Sequence, residues 1–136
     1  MSSEKAQIVS TIRQVLSEKR EILFAYIFGS FVDQENYRDI DIALYLEDPK
    51  KADVLQLEFL LAEELERKFP IPFDIRVINH APPGFIYNLL TRKILVLDRD
   101  TDRRAAFESL ALREYFDFRY LLKEYLEAVA DAPLQS

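Results

Sequence analysis

Residues 39–46 read DIDIALYL. Strict alternation over eight residues predicts a β-strand, because side chains two apart share one face of an extended chain. Ile40, Ile42, Leu44 and Leu46 make an apolar face, so the strand belongs to a core. Asp39, Asp41, Ala43 and Tyr45 point the other way. Asp39 and Asp41 are then neighbours on one face, about 7 Å apart at their Cα atoms. Burying two unpaired carboxylates costs several kcal/mol. A cation between the side chains removes that penalty. Mg²⁺ suits the position, since it takes oxygen ligands and draws only one or two of them from protein, with phosphate and water supplying the rest.

A third carboxylate repeats the pattern. FDIRVI (residues 73–78) predicts a second strand with Phe73, Ile75 and Val77 on its apolar face and Asp74 and Arg76 on the other. If the two strands are neighbours with their apolar faces on one side, Asp74 lies beside Asp39 and Asp41. Three carboxylates suffice for two divalent ions about 3.5–4 Å apart, the spacing that serves in-line displacement at phosphorus. Arg76, on the face of Asp74, either pairs with that acid or meets a phosphate.

The chain has only two glycines. One, Gly29, directly follows the continuous apolar run LFAYIF (residues 23–28), which reads as a strand covered on both faces. A glycine there marks a positive φ or a close approach to the backbone. With Ser30 next to it, exposed N–H groups and a hydroxyl make a small cradle for phosphate oxygens. Gly29 and Ser30 together with Asp39, Asp41 and Asp74 read as a grip for a metal–nucleoside triphosphate.

The remaining chain predicts an α/β (α+β) layer fold in the order α-β-β-α-β-α-β-α. An amphipathic helix spans residues 3–19, with Ile8, Ile12 and Val15 on its stripe. After a polar connection (31–38) and the DIDIALYL strand, Asp48 and Pro49 open a helix striped by Val54, Leu57, Leu61 and Leu65. A short helix enters through Pro82-Pro83, KILVL (93–97) is a buried-looking strand, and a long helix runs over 101–130 before a frayed tail. That last helix carries two apolar stripes. One contains Phe107, Ala111, Tyr115, Phe118, Leu122, Tyr125 and Val129; the other contains Leu112, Phe116 and Tyr120. One stripe suffices for a core, so the second either meets another chain or is clasped by a further part of the same fold. Arg103 and Arg104 open this helix, where the dipole disfavours cations.

Length and composition bound the rest. The 136 residues fit one domain, 1–136. A net charge of −6 argues against non-specific nucleic-acid binding, which needs Lys and Arg on phosphates. With no Cys there is neither a disulfide nor a thiolate metal site. No signal-like N-terminus or membrane-length apolar run is present, which predicts a cytoplasmic protein with no membrane contact.

FGSF, then DIDIALYL, then FDIRVI together resemble the GS…D-x-D…D signature of the DNA polymerase β-like nucleotidyltransferase superfamily. The small size looks like its minimal nucleotidyltransferase (MNT) group. With LLTRKILVLDRD and the long helix bearing REYFDFRYLLKEY, the resemblance covers nearly the whole chain and extends to the antitoxins of HEPN–MNT toxin–antitoxin pairs. It implies the nucleotidyltransferase fold: a small mixed β-sheet flanked by helices, with a long C-terminal helix. It also implies transfer of AMP from ATP to a tyrosine of a HEPN ribonuclease toxin, which silences the toxin, within a hetero-oligomer of the two proteins. Under it Gly29 and Ser30 hold the triphosphate and Asp39 and Asp41 bind two Mg²⁺. Asp74 completes the second metal site and helps deprotonate the attacking hydroxyl.

Two other readings compete with the AMP-transferring antitoxin. One is a neutraliser that masks its toxin by binding alone. The other is a nucleotidyltransferase acting on a small molecule of the aminoglycoside kind, for which a minimal core leaves little substrate-recognition region.

Overall fold

The computed structural model describes residues 1–132; the tail expected at the C-terminus falls largely outside them. The chain runs α1 (Ser3–Ser17), β1 (Ile22–Phe28), α2 (Ser30–Asp33), β2 (Ile40–Leu46), a 3-10 turn (Pro49–Lys51), α3 (Val54–Lys68), β3 (Phe73–Val77), α4 (Pro83–Thr91), β4 (Lys93–Asp98) and α5 (Thr101–Asp131). The four strands form one mixed sheet in the order β3-β2-β1-β4. β1 is antiparallel to both β2 and β4, while β2 and β3 are parallel.

Alternation decides what each face meets. Ile40, Ile42, Leu44 and Leu46 are fully buried, and they pack with Ile12 and Leu16 of α1 and Leu61 and Leu65 of α3. Burying each such side chain contributes about 1.5–3 kcal/mol. The opposite face carries Phe24, Tyr26 and Ala43, covered by Ile86 and Leu89 of α4 and by Phe107 and Ala111 of α5. Aromatic rings fill this second layer: Phe24 stacks on Tyr45 at 4.4 Å between centroids, and Phe107 tilts against Tyr45 at 4.9 Å. The result is a mixed α/β fold with helices on both faces of the sheet.

Three local features depart from the sequence reading. The polar connection after Ser30 begins as a one-turn helix whose Phe31 is fully buried, with Tyr37 packed edge-on at 4.8 Å. The helix expected to start at Pro49 is broken. Asp48 caps only the 3-10 turn, and Asp53 caps α3 by accepting from the Gln56 N–H. β4 is an edge strand, so only Val96 in it is buried.

Both sheet edges are occupied by side chains. Glu66 and Glu58 of α3 accept the N–H groups of Phe73 and Val77 at 3.0 and 2.9 Å, and the Arg13 guanidinium donates to the Val96 carbonyl at 2.9 Å. These bonds leave the edges fewer free groups to pair with a foreign strand.

α5 starts against the sheet and then leaves it. Arg104 pairs with Asp98 at 2.9 Å and with Glu108 at 3.2 Å, and the Tyr26 hydroxyl donates to Glu108 at 2.6 Å. Arg103 donates to the Glu47 carbonyl and lies over the Tyr45 ring. Both arginines therefore serve contacts within the chain. Beyond Tyr115 the helix projects for about 24 Å. Phe116, Phe118, Tyr120, Leu122, Tyr125 and Val129 there are 42 to 64 % exposed, so neither of the two stripes covers the core along this segment. Among the described residues, no helix is long and apolar enough to cross a membrane.

Candidate active site

The acidic residues gather at one end of the sheet, where β1 ends and β2, β3 and β4 begin. Asp39 immediately precedes β2, and Asp41 is its second residue. The parallel register sets Asp41 directly opposite Asp74, with Ile40 opposite Phe73 and Ile42 opposite Ile75. The apolar partners fix this placement: a slip of one residue would turn Ile40 and Ile42 out of the core. On its other side Asp41 is paired with Phe28, the last residue of β1.

Gly29 follows at once and has φ +80° and ψ −158°, a conformation essentially reserved for glycine. A Cβ built there would lie 2.3 Å from the Asp41 Oδ2. The Gly29 turn is thus shaped to admit the Asp41 carboxylate, and Ser30 comes next as the first residue of α2. All five residues singled out from the sequence therefore stand at the same end of the sheet. Asp41 and Asp74 are juxtaposed by register, and Asp41 and Gly29 by direct approach.

The surrounding loop is pinned from two sides. The Lys5 ammonium donates to the carbonyls of Phe31 and Gln34, both at 2.6 Å, and lies over the Phe31 and Tyr37 rings. Arg92, just ahead of β4, pairs with Asp33 at 2.8 Å. Neither contact has a periodic signature, and sequence reasoning did not anticipate them.

Electrostatics mark Asp41. Its carboxyl is pushed above the usual range, first by partial burial and then by the charges of Asp39 and Asp74, with Arg76 pulling the other way. The cluster is short of positive charge. Arg76 supplies some of it, with its Nε 3.4 Å from the Asp74 Oδ2 and its guanidinium 5.7 Å from the centre of the Phe85 ring. Phe85 meets Phe28 edge-on at 5.7 Å, giving the site an aromatic floor.

Among the described residues, no group of three or more His, Cys, Asp or Glu is gathered closely enough to hold a metal as it stands. Asp74 is turned to Arg76. The donor set nonetheless fits a hard divalent cation: the acids are oxygen donors, they repel one another, and Gly29 leaves room for one of them. His80 stands apart, in the loop after β3, lining a hollow with Asn79, Pro82 and Arg103.

No curated protein matches the chain. Among solved structures, a chain of the complex of a tri-AMPylated Shewanella oneidensis HEPN toxin with MNT antitoxin is similar, with a TM-score of 0.71 at 17 % identity. That alignment covers 93 % of this chain and 98 % of the other. A toxin–antitoxin complex with AMP-PNP contains a chain with a TM-score of 0.72 at 18 % identity, covering 90 % and 98 %. The toxin–antitoxin MntA–HepT contains one with a TM-score of 0.69 at 17 % identity, covering 92 % and 98 %. At such identities the likeness establishes the fold. The family model described as polymerase beta, nucleotidyltransferase, matches residues 10–102, a span that includes Gly29, Ser30, Asp39, Asp41 and Asp74, and the chain belongs to that nucleotidyltransferase family.

Proposed function

We propose that this chain is a minimal, single-domain nucleotidyltransferase that acts as an antitoxin, transferring AMP from ATP to a tyrosine of a HEPN-family toxin. The observation that carries this reading is the register of Asp41 beside Asp74, with the Gly29 turn closed on Asp41. The fold neighbours add the context: one is a chain from a complex of a tri-AMPylated HEPN toxin with MNT antitoxin, and another is a chain from a toxin–antitoxin complex with AMP-PNP.

In this reading Asp39 and Asp41 would hold two Mg²⁺, and Asp74 would complete the second site. Bound there, the ions supply charge neutralisation at the phosphates and acidify the attacking hydroxyl. Gly29 and Ser30 hold the triphosphate through backbone N–H groups and the serine hydroxyl. The tyrosine oxygen forms a bond to the α-phosphorus, the bond from that phosphorus to the bridging oxygen breaks, and pyrophosphate leaves. Asp74 takes the tyrosine proton. Positioning and electrostatics do most of the work in such a transfer.

The projecting part of α5 is the docking face for the toxin in this proposal. Its large apolar side chains lie open to solvent in the isolated chain, and an exposed patch of that kind marks an interface.

The test is incubation of the chain with Mg²⁺, labelled ATP and its co-expressed HEPN partner, followed by mass spectrometry of the partner. Adenylate on a partner tyrosine is the expected product, and Asp39→Ala or Asp41→Ala abolishes it. A tight complex without label favours the reading in which binding alone neutralises the toxin. Leu122→Glu, on the exposed face, is expected to weaken partner binding while leaving melting unchanged; retained binding refutes the docking assignment.

A further inference from the structure

We propose that Arg76 is the built-in counter-cation of the carboxylate cluster: it holds Asp74 while no metal is bound, cedes Asp74 when a divalent ion enters with a nucleotide, and turns its guanidinium to the triphosphate. The inference rests on reading Asp39, Asp41 and Asp74 as the metal and nucleotide site.

Three features of β3 and its neighbours place Arg76 for this exchange. Alternation puts it on the face of Asp74, one strand repeat further along. Its partner across the ladder is Ala43, whose small side chain leaves the guanidinium free to lean back toward Asp74. Phe85 of α4 lies beneath the guanidinium at 5.7 Å and gives it a resting place that does not depend on Asp74. Arg92, a neighbouring cation at this end of the sheet, is paired with Asp33.

The strength of the pair sets the outcome. The contact is 3.4 Å, and the two side chains are 57 % and 46 % exposed. An exposed pair of this kind shifts an equilibrium by at most about fivefold. It therefore discounts the affinity for a divalent ion without blocking it. A triphosphate offers the displaced guanidinium new anionic oxygens, and Arg binds phosphate through a planar fork. Metal entry and nucleotide entry are thereby favoured together, and each strengthens the other to the same degree.

The experiment measures Mn²⁺ binding by electron paramagnetic resonance on the full chain without nucleotide. It then measures binding of a non-hydrolysable ATP analogue at saturating Mn²⁺. Arg76→Gln is expected to bind Mn²⁺ about three- to fivefold tighter than the unsubstituted chain. Its affinity for the analogue is expected to fall by a similar factor. Arg76→Lys keeps the charge, so its Mn²⁺ affinity stays near that of the unsubstituted chain while the analogue binds more weakly. A purely structural role for Arg76 does not move the two affinities in opposite directions. Equal Mn²⁺ affinity in the Arg76→Gln and unsubstituted chains, or analogue affinity that does not fall, overturns the proposal and leaves the carboxylate site standing. No Mn²⁺ binding by the unsubstituted chain overturns the site itself, and this inference with it.

Discussion

Replacing Gly29 by alanine has a cost that can be worked from the turn. Its φ of +80° with ψ −158° is a region that an L side chain enters only under strain of about 1–3 kcal/mol. The added Cβ also falls 2.3 Å from the Asp41 Oδ2 and 3.3 Å from its Cγ. The carboxylate must leave its rotamer, for about 0.5–1.5 kcal/mol. Gly29→Ala is thus expected to lose about 2–4 kcal/mol, or about 8–16 °C in melting temperature for a chain of this size. Thermal denaturation followed by circular dichroism in EDTA measures it. Repeating the substitution in an Asp41→Ala background separates the two contributions, because the backbone strain persists and the clash disappears. The coupling between the two sites is expected to be about 1 kcal/mol. A melting loss under about 3 °C, or the same loss in both backgrounds, refutes the argument that the turn is shaped around Asp41.

Two further outcomes follow from the charges. Because the Asp41 carboxyl is raised by burial and by Asp39 and Asp74, the folded chain holds that proton more tightly than the unfolded chain. The associated stability is present below the ordinary aspartate range and is lost as pH rises through the raised value. Asp41→Asn is therefore expected to melt higher than the unsubstituted chain at pH 7 in EDTA, with the difference closing in acid; a variant that melts lower at pH 7 contradicts this. Tyr26 is fully buried, and its phenol, held protonated chiefly by burial and then by Glu108, donates to Glu108 at 2.6 Å. Tyr26→Phe removes a bond to a charged acceptor and is expected to cost about 1.5–3 kcal/mol by chemical denaturation; a cost under about 0.5 kcal/mol means the bond contributes nothing net.

What the sequence disclosed was whatever repeats with the period of a strand or helix. The Ile40–Leu46 alternation put Asp39 and Asp41 on one face, and Phe73, Ile75 and Val77 set the phase of Asp74. The pairing of β2 with β3, which the sequence left conditional, supplies the juxtaposition. Single residues in irregular segments were not legible. Phe31 opens a short connection that is polar from Asp33 onward and has no strand or helix period, so nothing marked it as fully buried, and Asp48 and Asp53 are both competent caps whose choice is made by packing further along. The pairing of Arg76 with Asp74 was one of two readings the sequence allowed, and the structure holds that contact. Two stripes on α5 were visible in the sequence, but pattern alone does not say where a helix parts from its sheet.

The Lys5 contact has a practical consequence. The family match begins at residue 10, yet the ammonium that ties down the Phe31 and Gln34 carbonyls comes from upstream of it. Trimming the protein to the start of the match would cut that tether, remove the buried Ile8 and Val9 of α1, and loosen the segment between Gly29 and Asp39. Activity measured on such a shortened version would then report a disturbed scaffold together with the chemistry of the acids beside it.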